Sequence, residues 1–198
     1  MRTDVKRAFD VVASAAGLIV LSPVFLVVGS AVWAQDRGPV FFRQERVGRG
    51  GRSFRIHKFR SMRVSSGGSL VTSSHDDRIT PVGAFLRKSK LDELPQLIDV
   101  LTGNMSVVGP RPEVPRYVAM WPADAREEIL SVRPGISDPA AIAFRNEQDE
   151  LAAAEDPERH YVEVILPKKV SMYRDYVRHR SFLGDLRVIV GTFAAILN

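Results

Sequence analysis

The sequence predicts an α+β protein that enters one leaflet of a membrane without crossing it, an arrangement called monotopic. Three observations predict this fold class. The uncharged run Val11–Ala34 is interrupted near its middle by Ser22 and Pro23. Two β-rich runs flank a glycine-rich turn, and much of the remaining chain carries apolar residues at helical spacing. We therefore expect a re-entrant helix-break-helix, a small β-hairpin and amphipathic helices at the membrane interface.

The composition limits the kinds of function that the chain can have. Its 198 residues suffice for a domain with a hydrophobic core. The absence of cysteine excludes a disulfide framework, a zinc site with thiolate ligands and a cysteine nucleophile. A formal net charge of +5 and a pI near 9.8 indicate an anionic partner. Nucleic acid, a phosphorylated substrate and an acidic lipid all meet that description.

The amino-terminal run has the length and the flanks of a membrane anchor. Its 24 uncharged residues, at about 1.5 Å each, match a hydrocarbon core of about 30 Å. Basic residues on both sides favour placing both ends in the cytoplasm. Pro23 removes a backbone donor and kinks a helix, and the Ser22 hydroxyl can bond a freed carbonyl. A re-entrant hairpin fits these observations, while a kinked spanning helix and a buried core helix stay open as alternatives.

A β-hairpin is predicted next. Pro39–Arg46 and Ser53–Phe59 are β-rich runs on either side of Val47–Gly51, which is rich in glycine. Residues 37–63 contain nine Lys or Arg against a single acid. This strip is either a solvated, lipid-contacting face or a phosphate site. The polar stretch Val64–Asp77 is typical of a flexible loop.

The chemistry is expected between Ile79 and Pro112. Leucines at helical spacing predict a helix that has Pro95 in its first turn and ends at Gly103. Asp92 and Glu93 would then lie at its amino-terminal end, next to three upstream basic residues. Such an acidic pair suits attack on phosphorus or Mg²⁺ binding. An N-cap aspartate followed by a dipole-favoured glutamate is the structural alternative.

The chain resembles a known family over nearly its whole length, in a set of motifs that occur in family order. These motifs are Lys6-Arg7-Ala8-Phe9-Asp10, Leu21-Ser22-Pro23, Gly38-Pro39-Val40-Phe41-Phe42, Gln44-Glu45-Arg46-Val47-Gly48, Lys58-Phe59-Arg60-Ser61-Met62, Leu86-Arg87-Lys88, Leu91-Asp92-Glu93-Leu94-Pro95-Gln96-Leu97, Val108-Gly109-Pro110-Arg111-Pro112-Glu113 and Arg133-Pro134-Gly135-Ile136. The family is that of the bacterial sugar transferases, or monotopic phosphoglycosyl transferases.

The resemblance implies a reaction and its residues. Asp92 would attack a nucleotide diphosphosugar, expected to be a UDP-sugar, and form an aspartyl phosphosugar with release of a nucleoside monophosphate. Polyprenyl (undecaprenyl) phosphate would then take the phosphosugar, which initiates glycoconjugate assembly. Glu93 would bind Mg²⁺ together with Asp92 or accept a proton. Lys58, Arg87 and Arg111 match basic motif positions that suit phosphate oxygens.

One segment departs from the family pattern. Many relatives continue Arg-Pro-Gly-Ile with Thr-Gly, whereas this chain has Ser137-Asp138-Pro139 and, further on, Arg145. Arg145 is a candidate phosphate ligand by its chemistry, and a surface ion-pairing arginine is the alternative.

The carboxyl-terminal part is predicted to be helical. Asp156–Arg180 suits either the interface or the core, and Phe182–Leu197 suits a helix that contacts the membrane. We expect an anchor over 1–36 and a catalytic domain over 37–198, located on the cytoplasmic face of the bacterial inner membrane against anionic lipid. A nucleic-acid-binding protein would leave the apolar run unexplained, and a membrane scaffold would leave the ordered motifs unexplained. A transferase that moves the sugar without its phosphate is the nearest alternative enzyme.

Overall fold

The computed structural model describes residues 3–63 and 76–197 and has the predicted α+β composition. The helices are α1 Thr3–Val20, α2 Ser22–Asp36, α3 Pro81–Lys88, α4 Gln96–Thr102, α5 Pro115–Ala119, α6 Ala123–Leu130, α7 Pro139–Ala143, α8 Glu147–Ala153, α9 Pro157–His160, α10 Leu166–His179 and α11 Phe182–Leu197. The strands are β1 Phe41–Val47, β2 Ser53–Phe59, β3 Ser106–Val108 and β4 Gly135–Ser137. Of the loop predicted over Val64–Asp77, residues 64–75 lie outside the described residues.

The amino-terminal run forms two helices with a break at Leu21, as predicted. Pro23 has no N–H to donate to the carbonyl of Ile19, and the Ser22 hydroxyl donates to that carbonyl instead, at 2.8 Å. The two helix axes differ in direction by 62°. Among the described residues no single helix is long and apolar enough to cross a membrane, whereas the bent pair passes that test together. The helix-break-helix is therefore confirmed, and its insertion into a membrane stays a prediction.

The outer surface of this helix pair is apolar. Ile19, Val20, Leu26 and Val27 flank the break, and each is 70–74% exposed. The inner side of α2 packs on the protein through Val28 and Val32 together with neighbouring apolar residues. A buried core helix would not leave large aliphatic side chains open on both sides of its kink. The core-helix alternative is therefore wrong.

The predicted β-hairpin is confirmed, with strands close to the predicted runs. β1 and β2 pair antiparallel, from Phe41 opposite Phe59 to Val47 opposite Ser53. The connection contains Gly50 and Gly51, both at positive φ, which glycine adopts without a steric penalty. Alternation along β2 buries Ile56 and leaves Arg55 exposed.

The main core lies in the carboxyl-terminal half. Asp156–Arg180 forms α9, a π-helical turn at Tyr161–Ile165 and α10. Their apolar side, including Ile165, Val170 and Tyr173, packs against α5 and α6. For this segment the core interpretation is thus confirmed. α11 leaves Leu183, Val190 and Phe193 exposed, and its contact with a membrane stays a prediction.

A second sheet was not predicted. β3 and β4 pair in parallel, with Ser106 opposite Gly135 and Val108 opposite Ser137. Gly109 and Gly135 lie so close that a Cβ on Gly135 would meet the Gly109 nitrogen at 2.0 Å. Three-residue strands carry no measurable alternation, so only the tertiary fold specifies them. This pairing brings the segment after β3 next to the segment after β4, and the first of these carries Arg111, which belongs to the site described below.

Candidate active site

Asp92 and Glu93 lie in a separate 3₁₀ turn, Leu91–Glu93, and not at the amino terminus of α4. The predicted continuous helix is wrong because Pro95 cannot donate a backbone hydrogen bond. Backbone hydrogen bonds of the 3₁₀ type replace the α-helical pattern there. The Leu94 amide donates to the Leu91 carbonyl, and the Leu97 amide donates to the Leu94 carbonyl. The predicted stop at Gly103 is confirmed, since this residue ends α4 in the left-handed conformation.

The chain reaches this turn through a reversal at Lys90. Its φ of 57° is a left-handed conformation that non-glycine residues adopt at a cost. α3 ends two residues earlier, so the reversal folds the turn back towards α3 and β2. As a result, Arg87 from α3 and Lys58 from β2 come close enough to Asp92 to act on its charge.

Glu93 is clamped between two cations. Its Oε1 accepts a hydrogen bond from Lys58 Nζ at 2.9 Å and another from Arg111 Nη2. Its Oε2 accepts from Arg111 Nη1 at 3.1 Å. The Glu93 side chain is only 12% exposed, so water screens this ion triad little. Lys58, one of the basic residues of the hairpin strip, thus faces inwards beside the predicted acidic pair. This position favours the phosphate-site interpretation for Lys58.

Asp92 is buried but unbonded. It is 6% exposed, and no residue in the described part of the chain donates a hydrogen bond to its carboxylate. It does not cap α4, so the N-cap alternative is not realised. Arg87 is in a similar condition, because its Nε is buried without a partner among the described residues and its Nη1 contacts only Met62 Sδ, at 3.7 Å. A buried carboxylate and a half-buried guanidinium are therefore neighbours without bonding each other.

The pKa values of the two carboxyl groups shift in opposite directions, upwards for Asp92 and downwards for Glu93. Burial raises the pKa of Asp92; the charge of Lys58 opposes this rise and the charge of Glu93 adds to it. Burial also acts to raise the pKa of Glu93, but the charges of Arg111 and Lys58 outweigh it and hold that pKa well below its usual range. Burial lowers the pKa of Lys58 and of Arg87. Opposed environments of this kind are typical of carboxyl pairs with different chemical roles.

The two carboxylates of the pair differ in how open they are to a metal ion. Both oxygens of Glu93 already accept hydrogen bonds from cations. Within 3–63 and 76–197, no group of three or more His, Asp or Glu side chains could hold a metal ion. Mg²⁺ commonly takes one or two carboxylates and completes its coordination with water and substrate phosphate. Asp92 is the more open of the two, and the magnesium site at Asp92 and Glu93 stays a prediction.

A buried network behind the site was not predicted from the sequence. Glu113 accepts a hydrogen bond from the Tyr161 hydroxyl at 2.7 Å and pairs with Arg46 at 3.7 Å. The backbone carbonyl of Glu113 also accepts from the Val47 amide. These contacts tie the segment that carries Arg111 to the β-hairpin. Glu113 belongs to a quoted family motif, but nothing in its spacing indicated these partners.

The divergent segment forms a helix start. Asp138 accepts a hydrogen bond from the Ala141 amide at 2.8 Å, and Pro139 is the first residue of α7. An N-cap aspartate followed by proline is a favourable way to begin a helix. Arg145 is exposed in the turn after α7 and has no ion pair within the described chain. Its role as a phosphate ligand stays a prediction, because no contact in the structure joins it to Glu93.

Asp138 gives a prediction on stability. It is fully buried, its Oδ2 has no partner among the described residues, and burial raises its pKa to about 6. Ionisation in the folded state therefore costs stability, which falls as pH rises from the unfolded pKa near 4 to about 6 and stays reduced above that. Asp138→Asn keeps a capping oxygen and lacks this titration. The free energy of unfolding of Asp138→Asn, relative to that of wild type, should therefore rise by about 3 kcal/mol across that window.

The measurement is thermal unfolding of the detergent-solubilised proteins at several pH values across this window. The exposed Asp149 on α8 offers the matched control, and Asp149→Asn should follow the wild-type pH dependence. Parallel pH profiles for wild type and Asp138→Asn would contradict the assignment.

The chain is similar to known proteins over its whole length. Residues 1–198 match the family described as bacterial sugar transferase. A UDP-glucose:undecaprenyl-phosphate glucose-1-phosphate transferase of Escherichia coli (strain K12) is 38% identical over 189 residues, which are 93% of this chain and 38% of that protein. The exopolysaccharide production protein ExoY of Rhizobium meliloti (strain 1021) is 33% identical over 209 residues, covering 96% of this chain and 84% of that protein.

A UDP-N-acetylgalactosamine-undecaprenyl-phosphate N-acetylgalactosaminephosphotransferase of Aeromonas hydrophila is 36% identical over 197 residues, covering 98% of this chain and 44% of that protein. The chain thus spans less than half the length of the Escherichia coli and Aeromonas hydrophila relatives. The residues quoted above as family motifs lie within the matched range. The chain belongs to the bacterial sugar transferase family.

Proposed function

We propose that this chain is a phosphoglycosyl transferase that moves a sugar 1-phosphate from a UDP-sugar to undecaprenyl phosphate. The names of the relatives support this substrate pair, since they join a UDP-sugar to undecaprenyl phosphate. The relatives differ in the sugar, glucose in one and N-acetylgalactosamine in another. The product would carry the first sugar of a polysaccharide or another glycoconjugate.

The observation that carries the proposal is the Asp92 carboxylate, which accepts no hydrogen bond from the described residues, beside the half-buried Arg87 guanidinium. A purely structural buried carboxylate would be expected to accept hydrogen bonds. Asp92 accepts none from the described residues, and Arg87 likewise keeps a buried N–H without a partner. A diphosphate that enters between them can bond to Arg87 while its phosphorus meets Asp92. The site therefore suits covalent attack on phosphorus.

The proposed reaction has two steps at Asp92. The ionised carboxylate attacks the sugar-proximal phosphorus, a P–O bond to the second phosphate breaks, and a nucleoside monophosphate leaves. A phosphate oxygen of undecaprenyl phosphate then attacks the same phosphorus, the aspartyl–phosphorus bond breaks, and Asp92 is regenerated. Lys58, Arg87 and Arg111 would stabilise the negative charge that develops on the transferred phosphoryl oxygens.

Glu93 suits a positioning role. Its low pKa makes it a weak proton acceptor near neutral pH, whereas its hydrogen bonds fix the Lys58 ammonium and the Arg111 guanidinium in place. Mg²⁺ held by Asp92 and by diphosphate oxygens would supply further neutralisation of phosphate charge. The protein groups would keep the reacting phosphorus in line with Asp92.

The proposed anchor would place this site where its two substrates meet. Undecaprenyl phosphate stays in the bilayer, and the nucleotide sugar is a soluble anion of the cytoplasm. A re-entrant α1–α2 pair would insert its exposed apolar side chains into the cytoplasmic leaflet of the inner membrane. The exposed apolar face of α11 would add a contact parallel to the surface. The 1–36 anchor and the 37–198 domain would then work as a single unit.

The by-product tests the proposal. Purified protein with Mg²⁺ and a panel of nucleotide sugars, without lipid, should release about one equivalent of nucleoside monophosphate. Intact-protein mass spectrometry should show the added phosphosugar, and undecaprenyl phosphate should then discharge it. Release of nucleoside diphosphate without any mass increase would instead support a transferase that moves the sugar alone.

A further inference from the structure

A cavity outside the Asp92–Glu93 site has five basic residues among the eleven that line it. Its volume is about 60 Å³, and its basic residues are Lys6, Arg7, Arg49, Arg133 and Arg180. They come from α1, the hairpin turn, the segment before β4 and the junction of α10 with α11. None of the five belongs to the cluster around Asp92. Cations gathered from four segments repel one another unless an anion joins them.

The acids at this cavity do not balance its charge. Asp10 lines the wall and accepts hydrogen bonds from Ser106 Oγ at 3.1 Å and from the Val107 amide at 3.0 Å. Asp185 pairs with Lys6 at 2.5 Å. Arg49 and Arg180 have no carboxylate within ion-pair distance in the described part of the chain. Basic charge therefore exceeds acidic charge around the cavity.

Two of the arginines are held in place while they keep free donors. Arg7 donates to the carbonyls of Val100 and Leu101 at 2.7 and 3.0 Å, at the end of α4. Arg133 Nε donates to the Gly103 carbonyl at 2.9 Å. A guanidinium has five N–H donors, so both side chains retain donors for another acceptor. Burial lowers the pKa of Arg133, and the charges of Arg7 and Arg49 lower it further.

We propose that this cavity binds a phosphate group, either as the headgroup of an acidic phospholipid or as a free phosphate ion. A volume of about 60 Å³ suits one tetrahedral anion and is far below the roughly 300–1,000 Å³ of a site for a larger organic ligand. Arginine donors suit phosphate oxygens in particular. Arg7 lies 14 residues before Leu21, which is about 21 Å along a helix. With the bend of the anchor inserted, the cavity would lie near headgroup level, so the lipid source rests on the proposed insertion.

Amide hydrogen exchange locates the ligand and separates this cavity from the Asp92 site. Inorganic phosphate, compared with sodium chloride at equal ionic strength, should protect peptides that contain Lys6–Asp10 and Arg133. The variant R49Q/R180Q removes two lining cations that make no hydrogen bond within the described chain. It should raise the phosphate concentration for half-maximal protection by about tenfold or more.

The control R52Q/R55Q removes the same charge from exposed positions of the same hairpin, outside the cavity. It should leave the half-maximal concentration within about twofold of wild type. Nanodiscs of phosphatidylcholine, with and without phosphatidylglycerol, form the second arm of the experiment. Protection by phosphatidylglycerol alone identifies a headgroup site, and protection by inorganic phosphate alone identifies a free-phosphate site.

Protection in both arms identifies a site that accepts the phosphate group from either source. Two outcomes overturn the proposal. One is the absence of protection in both arms. The other is equal weakening by R49Q/R180Q and R52Q/R55Q, because this would assign the effect to net charge alone. Neither outcome bears on the transferase reaction, since none of the substituted arginines lies at Asp92.

Discussion

Asp92→Asn is expected to lower turnover by at least about a thousandfold, because it removes the proposed nucleophile. Asparagine has nearly the shape of aspartate, and no described residue donates a hydrogen bond that the substitution would break. Removal of a buried carboxylate with a raised pKa should also leave the protein at least as stable. The measurement is the rate of transfer from nucleotide sugar to undecaprenyl phosphate, together with the thermal unfolding temperature.

The control for this substitution is Asp149→Asn, an exposed position on α8. It should retain wild-type turnover. Asp92→Asn should also fail to gain the phosphosugar mass when lipid is omitted. Turnover near the wild-type rate in a preparation free of host transferases would remove Asp92 from the mechanism, even if the released by-product were still a monophosphate.

The parts of the fold that the sequence predicted depend on local rules. Pro23 lacks an N–H wherever it stands, so the break between α1 and α2 follows from a single residue and its hydroxyl neighbour. The hairpin follows from two β-rich runs around Gly50 and Gly51. Gly103 ends α4 for the same kind of reason. In each case the stabilising contact joins residues that are close in sequence.

The error at Asp92 shows how a local rule was misapplied. Proline is favoured in the first turn of a helix, and the leucine spacing continued across Pro95 without interruption. The same proline instead divides a 3₁₀ turn from α4 and occupies the N-cap position itself. The acidic pair was located correctly along the chain but assigned to the wrong element. Lys90, in its left-handed conformation, gives no signal of its own in the sequence.

The contacts that build the site are long-range. Lys58 and Glu93 are 35 residues apart, and Glu113 and Tyr161 are 48 residues apart. No periodicity relates such positions, so residue chemistry alone left a capping interpretation of Asp92 open. The family resemblance indicated which charged residues to consider, and the fold then brought Lys58 and Arg111 onto Glu93. The fold did not bring Arg145 into that cluster. In the divergent segment, the structure instead revealed the capping role of Asp138.

Labelling of introduced cysteines is expected to report the topology of the anchor in an all-or-none way. Single cysteines are introduced at Thr3, before the break, and at Arg52, in the exposed hairpin turn. Basic residues on both sides of the apolar run favour the cytoplasm for both positions. Both cysteines should therefore resist a membrane-impermeant thiol reagent in intact cells and react fully once the membrane is opened. The chain has no native cysteine, so no other thiol contributes to the signal.

A second variant tests whether Pro23 is the physical cause of that topology. Pro23→Leu restores the N–H that the Ile19 carbonyl lacks, so the α1–α2 pair can straighten into one helix long enough to span. A fraction of Thr3→Cys molecules with this second substitution should then become labelled from outside. Labelling of Thr3→Cys from outside in the protein with Pro23 intact would show that the anchor crosses the bilayer. The re-entrant arrangement would then be wrong, while attack by Asp92 would still be available to a spanning protein.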